Sequence, residues 1–428
     1  MSSKIESQDN KSQATMDYNF QDIEGERYIC INALETIPTF FVSMISAHDH
    51  WFFIATNGAL SAGRGSPGNS LFPYYTVDKI INNSNCTGPQ TLIKVADKVW
   101  EPFKSSSERI FSTGRKIYKS INGDTLIFEE VNHDLNLTFS YTWSTSEKYG
   151  FIRRSKLVNS SDSAVEFTII DGLSDFLASG VDDRTHLAYS CLTDAYKVSE
   201  LDTSNQLLVH RMVASLVDEA IPLECLKATV LWSYGWDDAS IIIQQSDVEH
   251  YLNDLSLQST DFSRGLRGCY YNAGSIKLDS NETKSWAIVA DIDKTQSEVA
   301  ALTIGLKNKD TLWKLVIDDI SKGRNALEEL IQASDGLQIC SEEIVSTYHR
   351  ANVLFNIMRG GVFSDNYTIT KSLLNEHITK HNAHLADADL AIIGNLAEEF
   401  SYNELVAASA KGSADLQRIC NEYLPLVF

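Results

Sequence analysis

No stretch of this chain approaches the roughly 20 apolar residues that a membrane-spanning helix needs. That excludes a helical membrane protein. The first residues, MSSKIESQDNKSQAT, are polar and lack an apolar h-region. They read as a disordered leader over 1–16, not as a secretory signal. Cysteine is sparse and odd in number, seven in all, with wide spacing and no CxxC. That pattern excludes a zinc framework and argues for free thiols in a reducing compartment, hence a cytoplasmic protein. No metal or other cofactor is expected. Positive charge is scarce: 36 Lys and Arg against 57 Asp and Glu give 36 − 57 = −21. So acidic a surface argues against a nucleic-acid or anionic-membrane partner. There is no P-loop, no GxGxxG after a strand and no GxSxG elbow. Proline, seven in all, is missing from Leu223 to Leu424, which suits helix in the last third.

Against these absences, 43% hydrophobic residues and 10% aromatics suffice for a large core in two or three domains. Residues 17–293 carry strand-like runs every 8–15 residues, with turn signals between them. In Leu135–Trp143 apolar and polar residues alternate, as in a half-buried strand with one wet face. Asn122-Gly123-Asp124 and Asn159-Ser160-Ser161-Asp162 read as hairpin turns. No long helical pattern interrupts, so a large antiparallel β-sandwich is expected, not βαβ units. Near 295 the period changes from 2 to 3.6. Thr295 to Glu298 and Ser401 to Glu404 fit capping boxes. Leu312–Ile331 is helical in pattern, and Ser341 opens a helix ending at Gly360-Gly361. Residues 294–428 are therefore expected to be helical, with no sheet of their own.

The most informative segment is Trp51–Ile80. Trp51 to Ala55 reads as a buried strand and Asn57-Gly58 as a type I′ turn. A turn-rich loop, Gly63-Arg64-Gly65-Ser66-Pro67-Gly68, leads to Leu71-Phe72-Pro73-Tyr74-Tyr75-Thr76. Forked guanidinium donors and aromatic faces suit sugar hydroxyls and sugar rings. Arg64, Phe72, Tyr74 and Tyr75 are thus the candidate carbohydrate-binding residues. The other reading has both tyrosines in the core and Arg64 neutralised by an acid such as Asp78.

This segment resembles the start of carbohydrate-active proteins related to cellobiose phosphorylase, glycoside hydrolase family 94. Ile169–Leu173 (IIDGL), Arg350–Val362 (RANVLFNIMRGGV) and Ala414–Leu426 (ADLQRICNEYLPL) resemble the same group. The likeness is loose between Leu187 and Ser280. It implies a galactose mutarotase-like β-sandwich, a helical linker and then an (α/α)6 barrel that carries an aspartate general acid. By that order the chain stops where the barrel begins, so no catalytic residue carries over. The implied function is the N-terminal part of a glycoside phosphorylase or hydrolase acting on β-linked gluco-oligosaccharides by single displacement. The alternative is a non-catalytic carbohydrate-binding or assembly module. Partners implied are an oligosaccharide, the missing barrel or a second copy in a homodimer.

Other constellations are weaker. His377, His381 and His384 could share one helix face and hold a metal, or simply be exposed. His48-Asp49-His50 precedes the Trp51 strand and reads as a turn. A mutarotase-like site would need a histidine and a carboxylate on the concave sheet face, with His186 and His210 as candidates. Trp236-Asp237-Asp238 lies within the sandwich portion. Ala351, Leu354, Phe355 and Met358 form an apolar stripe, and Leu424, Leu426, Val427 and Phe428 an apolar end. Both predict an exposed apolar patch on the helical part.

Overall fold

In Leu137–Ser146 the sequence alternation becomes geometry: Leu137, Phe139, Tyr141 and Trp143 are buried, while Thr138, Ser140 and Thr142 are half-buried. This strand pairs antiparallel with Leu126–Asn132 on one side and Gly150–Asn159 on the other. The computed structural model describes residues 17–181, 183–214, 225–253, 260–334, 336–338, 340–360, 362–363, 368–423 and 426–427. The leader expected over 1–16 lies outside the described residues, as do the side chains of Met358 and of residues 424–428.

Among the described residues, the chain divides into units 1–324 and 325–428. The first holds three sheets. An eleven-stranded sheet runs, in spatial order, through Tyr18–Ile23, Glu26–Ile31, Thr113–Ser120, Leu126–Asn132, Leu137–Ser146, Gly150–Asn159, Thr283–Thr295, Lys227–Tyr234, Leu207–Met212, Lys197–Asp202 and Phe262–Arg264. A five-stranded sheet runs Ser240–Ile242, Gly268–Leu278, Val165–Phe176, Gly88–Val95 and Lys98–Trp100. A four-stranded sheet runs Phe41–Met44, His50–Ala55, Leu60–Arg64 and Ser70–Phe72. The named pairs in these sheets are antiparallel, as in the sheet of Gly150–Asn159 with Thr283–Thr295 and of Val165–Phe176 with Gly268–Leu278. The expected antiparallel β-sandwich is therefore the fold of this unit. Phe128, Phe139 and Trp143 of the large sheet, Ile169 and Leu173 of the second and Phe52 and Ile54 of the third share one core.

The large sheet is covered on both faces. Leu231, Ile288 and Ala290 point into the sandwich, whereas Val230, Trp232 and Val289 meet helical residues Leu306, Leu312 and Val316 on the other side. That double burial explains why the middle of Lys227–Tyr234, Val230-Leu231-Trp232, is apolar without alternation. The helical stretch that follows the sandwich begins where the period changes. Thr295 caps Gln296–Gly305, its hydroxyl accepting from Glu298 N–H while the Glu298 carboxylate accepts from Thr295 N–H. Lys309–Ala333 follows.

Several sequence expectations are corrected. Asn159–Asp162 is no hairpin: the strands it joins, Gly150–Asn159 and Val165–Phe176, belong to different sheets, so it is the corner between layers. The Asn159 side chain builds that corner, its amide donating to the carbonyls of Ser163 and Asp279 and its oxygen accepting from Ser161 N–H. The Asn57-Gly58 turn is not type I′, because only Gly58 has positive φ, at 86°; Gly58 N–H donates back to Ala55 O. The first unit also contains a thirteen-residue helix, Asp183–Ala195, kinked at Tyr189, that the sequence pattern did not reveal.

The second unit is not purely helical as expected. Thr368–Thr370 pairs antiparallel with Glu399–Ser401, and Val362–Phe363 with Leu426–Val427. The first ribbon follows from capping. Thr370 and Ser401 are N-cap residues of the helices Lys371–His381 and Tyr402–Ser409, and both are extended. Extended caps let the residues leading into the two helices pair. The Ser401–Glu404 capping box forms as predicted. Ile369, Leu374, Ile378, Phe400, Leu405 and Leu416 are among the residues of this unit's own core. Of the expected stripe on Glu343–Gly360, only Leu354 is buried; Ala351 and Phe355 are exposed. Among the described residues no helix is long and apolar enough to cross a membrane.

The two large sheets are joined by a buried ion pair. Arg153 of the eleven-stranded sheet forks onto Asp171 of the five-stranded sheet, with both N–O distances 2.8 Å. Asp171 also accepts from Thr91 Oγ1, Ser155 Oγ and Trp286 Nε1 at 2.7–2.9 Å. The Arg153 guanidinium lies 4.5 Å from the Tyr141 ring centre. Removing one partner of a buried pair strands the other charge, so Asp171→Ala is expected to lower stability by about 3–5 kcal/mol. Urea unfolding followed by near-UV circular dichroism measures this.

Candidate functional site

Arg64 is not on a loop and not unpaired. It ends the strand Leu60–Arg64, opposite His50, and its side chain is 13% exposed. Nε donates to Asp49 at 3.0 Å, one terminal nitrogen to Asp291 at 3.2 Å and the other to Glu147 O at 2.8 Å. Burial pulls its pKa down, but the two carboxylates outweigh this and hold it above the ordinary arginine value. Lys294 pairs with Asp291 from the other side at 2.5 Å. Asp78, the acid suggested by sequence proximity, is not the partner. All of Arg64's forked donors are committed, so the group is a structural knot.

That knot borders a cavity of about 310 Å³ between the large sheet and the helix Gln296–Gly305, with Trp232, Val289, Leu302 and Leu312 in its wall and Asp291 and Lys294 at one side. The wall is largely apolar; Asp291, Lys294 and Glu298 on it are already paired, and the Lys148 ammonium lies over the Tyr149 ring. It offers few of the hydroxyl partners that a sugar requires.

Phe72 is fully buried in the sandwich core, which removes it from any surface site. Tyr75 is half-buried and tilts toward His186, with ring centres 6.1 Å apart. Asp175 lies nearby at a bulge, with φ of 58°, bound by Thr87 Oγ1 at 2.7 Å and by Arg267 at 3.2 Å. Arg267 also reaches Asp194, which pairs with Lys197. His186 is 2% exposed, and both its ring nitrogens lack a hydrogen-bond partner among the described residues. Burial and the nearby Lys197 charge lower its pKa, so the imidazole is neutral. Enclosure denies it the open approach that acid–base catalysis on a bound substrate needs.

His210, the other histidine candidate, is wholly enclosed, with Ser199 Oγ 2.9 Å from Nδ1 and Phe176 edge-on to its ring. His377 and His381 stack at 4.1 Å on Lys371–His381, but that helix ends at His381, so His384 leaves their face. Among the described residues no cluster of His, Cys, Asp or Glu is arranged to hold a metal. Trp236 is buried in the sandwich core, and Asp237 faces Lys309.

Of the four expected binding residues Tyr74 is the most exposed, at 45%. It meets Trp51 edge-on at 5.4 Å. Trp51 in turn lies 6.3 Å from Phe53, which is 37% exposed. The run Trp51–Ala55 is therefore a half-buried strand: Phe52 and Ile54 face the core and Trp51 and Phe53 face outward. The signal was a period of two within an all-apolar run, masked because both faces carry hydrophobic side chains.

The buried carboxylates of the sandwich are similarly committed. Glu130 accepts from Trp100 Nε1, Phe103 N–H and Arg115 Nε. Glycoside hydrolysis uses two carboxyl groups facing a substrate space, one of them holding a proton, and phosphorolysis still needs the protonated one. Asp171, Asp291 and Glu130 instead sit in guanidinium forks.

Residues 363–425 match the family model described as glycoside hydrolase family 149 insertion domain 1. No curated protein matches the chain by sequence. Similar solved structures include a bacterial glucoamylase complexed with acarbose, at 13% identity and TM-score 0.43, with 79% of this chain and 43% of that one covered. A protein assigned as a kojibiose phosphorylase from the human microbiome aligns at 11% identity and TM-score 0.37, over 90% of this chain and 44% of that one. A galactose mutarotase-like protein from Clostridium acetobutylicum aligns at 10% identity and TM-score 0.31, over 65% of this chain and 99% of that one. The chain thus spans under half the length of the glucoamylase and of the phosphorylase.

Burial depresses His50 and His210 to about 3 each. Below roughly pH 6.5 the unfolded chain therefore binds protons that the folded chain refuses, and stability falls as pH falls toward 3; above it both states are neutral and neither histidine contributes. Equilibrium urea midpoints between pH 7 and pH 4 should show this decline, with a shallower slope in His210→Asn.

Proposed function

We propose that this chain serves carbohydrate metabolism as the sandwich-bearing part of a glycoside hydrolase or phosphorylase-like protein, and that it binds oligosaccharide without cleaving it. The observation that carries this reading is the match of residues 363–425 to an insertion domain of glycoside hydrolase family 149. The pairing of the sandwich's buried carboxylates supports the non-cleaving part. Asp171, Asp291 and Glu130 are each bound to a guanidinium and to further donors, so their oxygens are engaged within the fold and do not face a substrate. The substrate class we assign is β-linked gluco-oligosaccharide, with the general acid supplied from outside these residues. A catalytic barrel or a second copy of the chain is the partner this reading implies.

Titration calorimetry of the 428-residue chain with β-linked gluco-oligosaccharides should give saturable binding. Incubation with the same sugars, with and without phosphate, should release neither free sugar nor sugar phosphate. Turnover abolished by replacing a carboxylate of this chain would overturn the non-cleaving assignment, and absence of any binding would overturn the carbohydrate reading itself.

A further inference from the structure

Trp51, Phe53 and Tyr74 form a contiguous set of rings on the outer face of the four-stranded sheet. Isolated exposed apolar side chains need no explanation, but a connected set does. The set is also held in place. Trp51 Nε1 donates to Ser66 O at 3.3 Å, which fixes the indole. The indole lies directly across the next strand at Gly63: a Cβ there would sit 2.4 Å from Trp51 Cζ2 and 2.5 Å from Asn69 O. Gly63 is therefore what allows the ring to lie against the backbone. Tyr74 then stands perpendicular to Trp51, at 89°, with the ring centres 5.4 Å apart.

We propose that Trp51, Phe53 and Tyr74 are a preformed stacking platform for the sugar rings of a neutral oligosaccharide. This rests on the carbohydrate reading above and names its site. Aromatic faces take up the C–H faces of pyranose rings, and a rigid platform loses little freedom on binding. The flanking groups are hydroxyls: Ser43, exposed and opposite Phe53 in register, Ser66, and the Tyr74 phenol. Hydroxyls beside apolar ring faces match a neutral sugar. The size excludes a stable protein interface. Rings of 150–250 Å², exposed as these are, present on the order of 200 Å² together. A standard interface buries roughly 800 Å² on each partner.

The experiment compares the wild-type chain with Phe53→Ala and Tyr74→Ala, by titration calorimetry with β-linked gluco-oligosaccharides and with free glucose as control. Each variant should bind about tenfold more weakly, the effect of losing one stacking ring, and the double variant should not bind measurably. Melting temperatures should stay close to wild type, because both side chains are exposed. Wild-type binding that survives unchanged in both variants overturns the platform and leaves the carbohydrate reading standing. No wild-type binding overturns both. A dimer in sedimentation that Phe53→Ala dissociates, with sugar binding intact, overturns the platform in favour of self-association.

Discussion

The sandwich is organised around one buried charge pair. Arg153 and Asp171 come from different sheets, and both are fully enclosed. Taking two charges out of water costs several kcal/mol apiece, and that cost is offset only when geometry is good and further donors are satisfied. Here Thr91 and Asp171 of one sheet meet Arg153, Ser155 and Trp286 of the other. The pair is possible only at one relative register of the sheets. It therefore converts a non-directional hydrophobic contact between layers into a specific one. Gly172, next to Asp171, completes the fit, since a Cβ there would sit 2.1 Å from Tyr270 O on the neighbouring strand. The IIDGL motif thus owes its aspartate and glycine to holding sheets together.

The same logic recurs at two smaller scales. Glu130 gathers Trp100, Phe103 and Arg115 beneath the second sheet. Arg64 gathers Asp49, Asp291 and Glu147 where the four-stranded sheet meets the strand Thr283–Thr295. Each knot joins segments far apart in sequence, and each uses a forked cation to satisfy several acceptors at once. These arrangements leave little free titratable chemistry inside the sandwich. Outward the sandwich presents Trp51 and Phe53 on a paired strand, with Tyr74 on the segment just after the strand Ser70–Phe72.

The second unit works differently. Its helices after Glu343–Gly360 are short, 8–11 residues among the described ones, and its core includes Leu374, Leu405 and Leu416. Stability there depends on end effects as much as on helix length: capping at Ser401 and Ser413, and the ribbon formed by the residues leading into two helices. Ser413 and its neighbours are in turn held by Asp389, whose carboxylate accepts from both the Ser413 N–H and hydroxyl. Those bonds hold the Asp389 carboxyl below its usual range.

Features set by local spacing were legible in the sequence. The alternation over Leu135–Trp143, the switch to helix at Thr295 and the capping box at Ser401 all depend on residues a few positions apart, and all are present. The antiparallel class followed from strand spacing and the absence of a long helical pattern between the strands, although the helix Asp183–Ala195 escaped that reading. Partnerships across the fold were not legible. Asp49 and Asp291 hold Arg64 from positions 15 and 227 residues away, and no local pattern announces the second. Asn159 looked like one more hairpin residue, yet it builds the corner between sheets. Phe72 and Tyr74 stand two apart in one aromatic cluster, yet one is buried and the other exposed. By itself the sequence determined periodicity, caps and charge, because these act through neighbouring residues. Only the tertiary structure decided which polar groups pair and which aromatic faces remain open, because those depend on how distant strands are brought together.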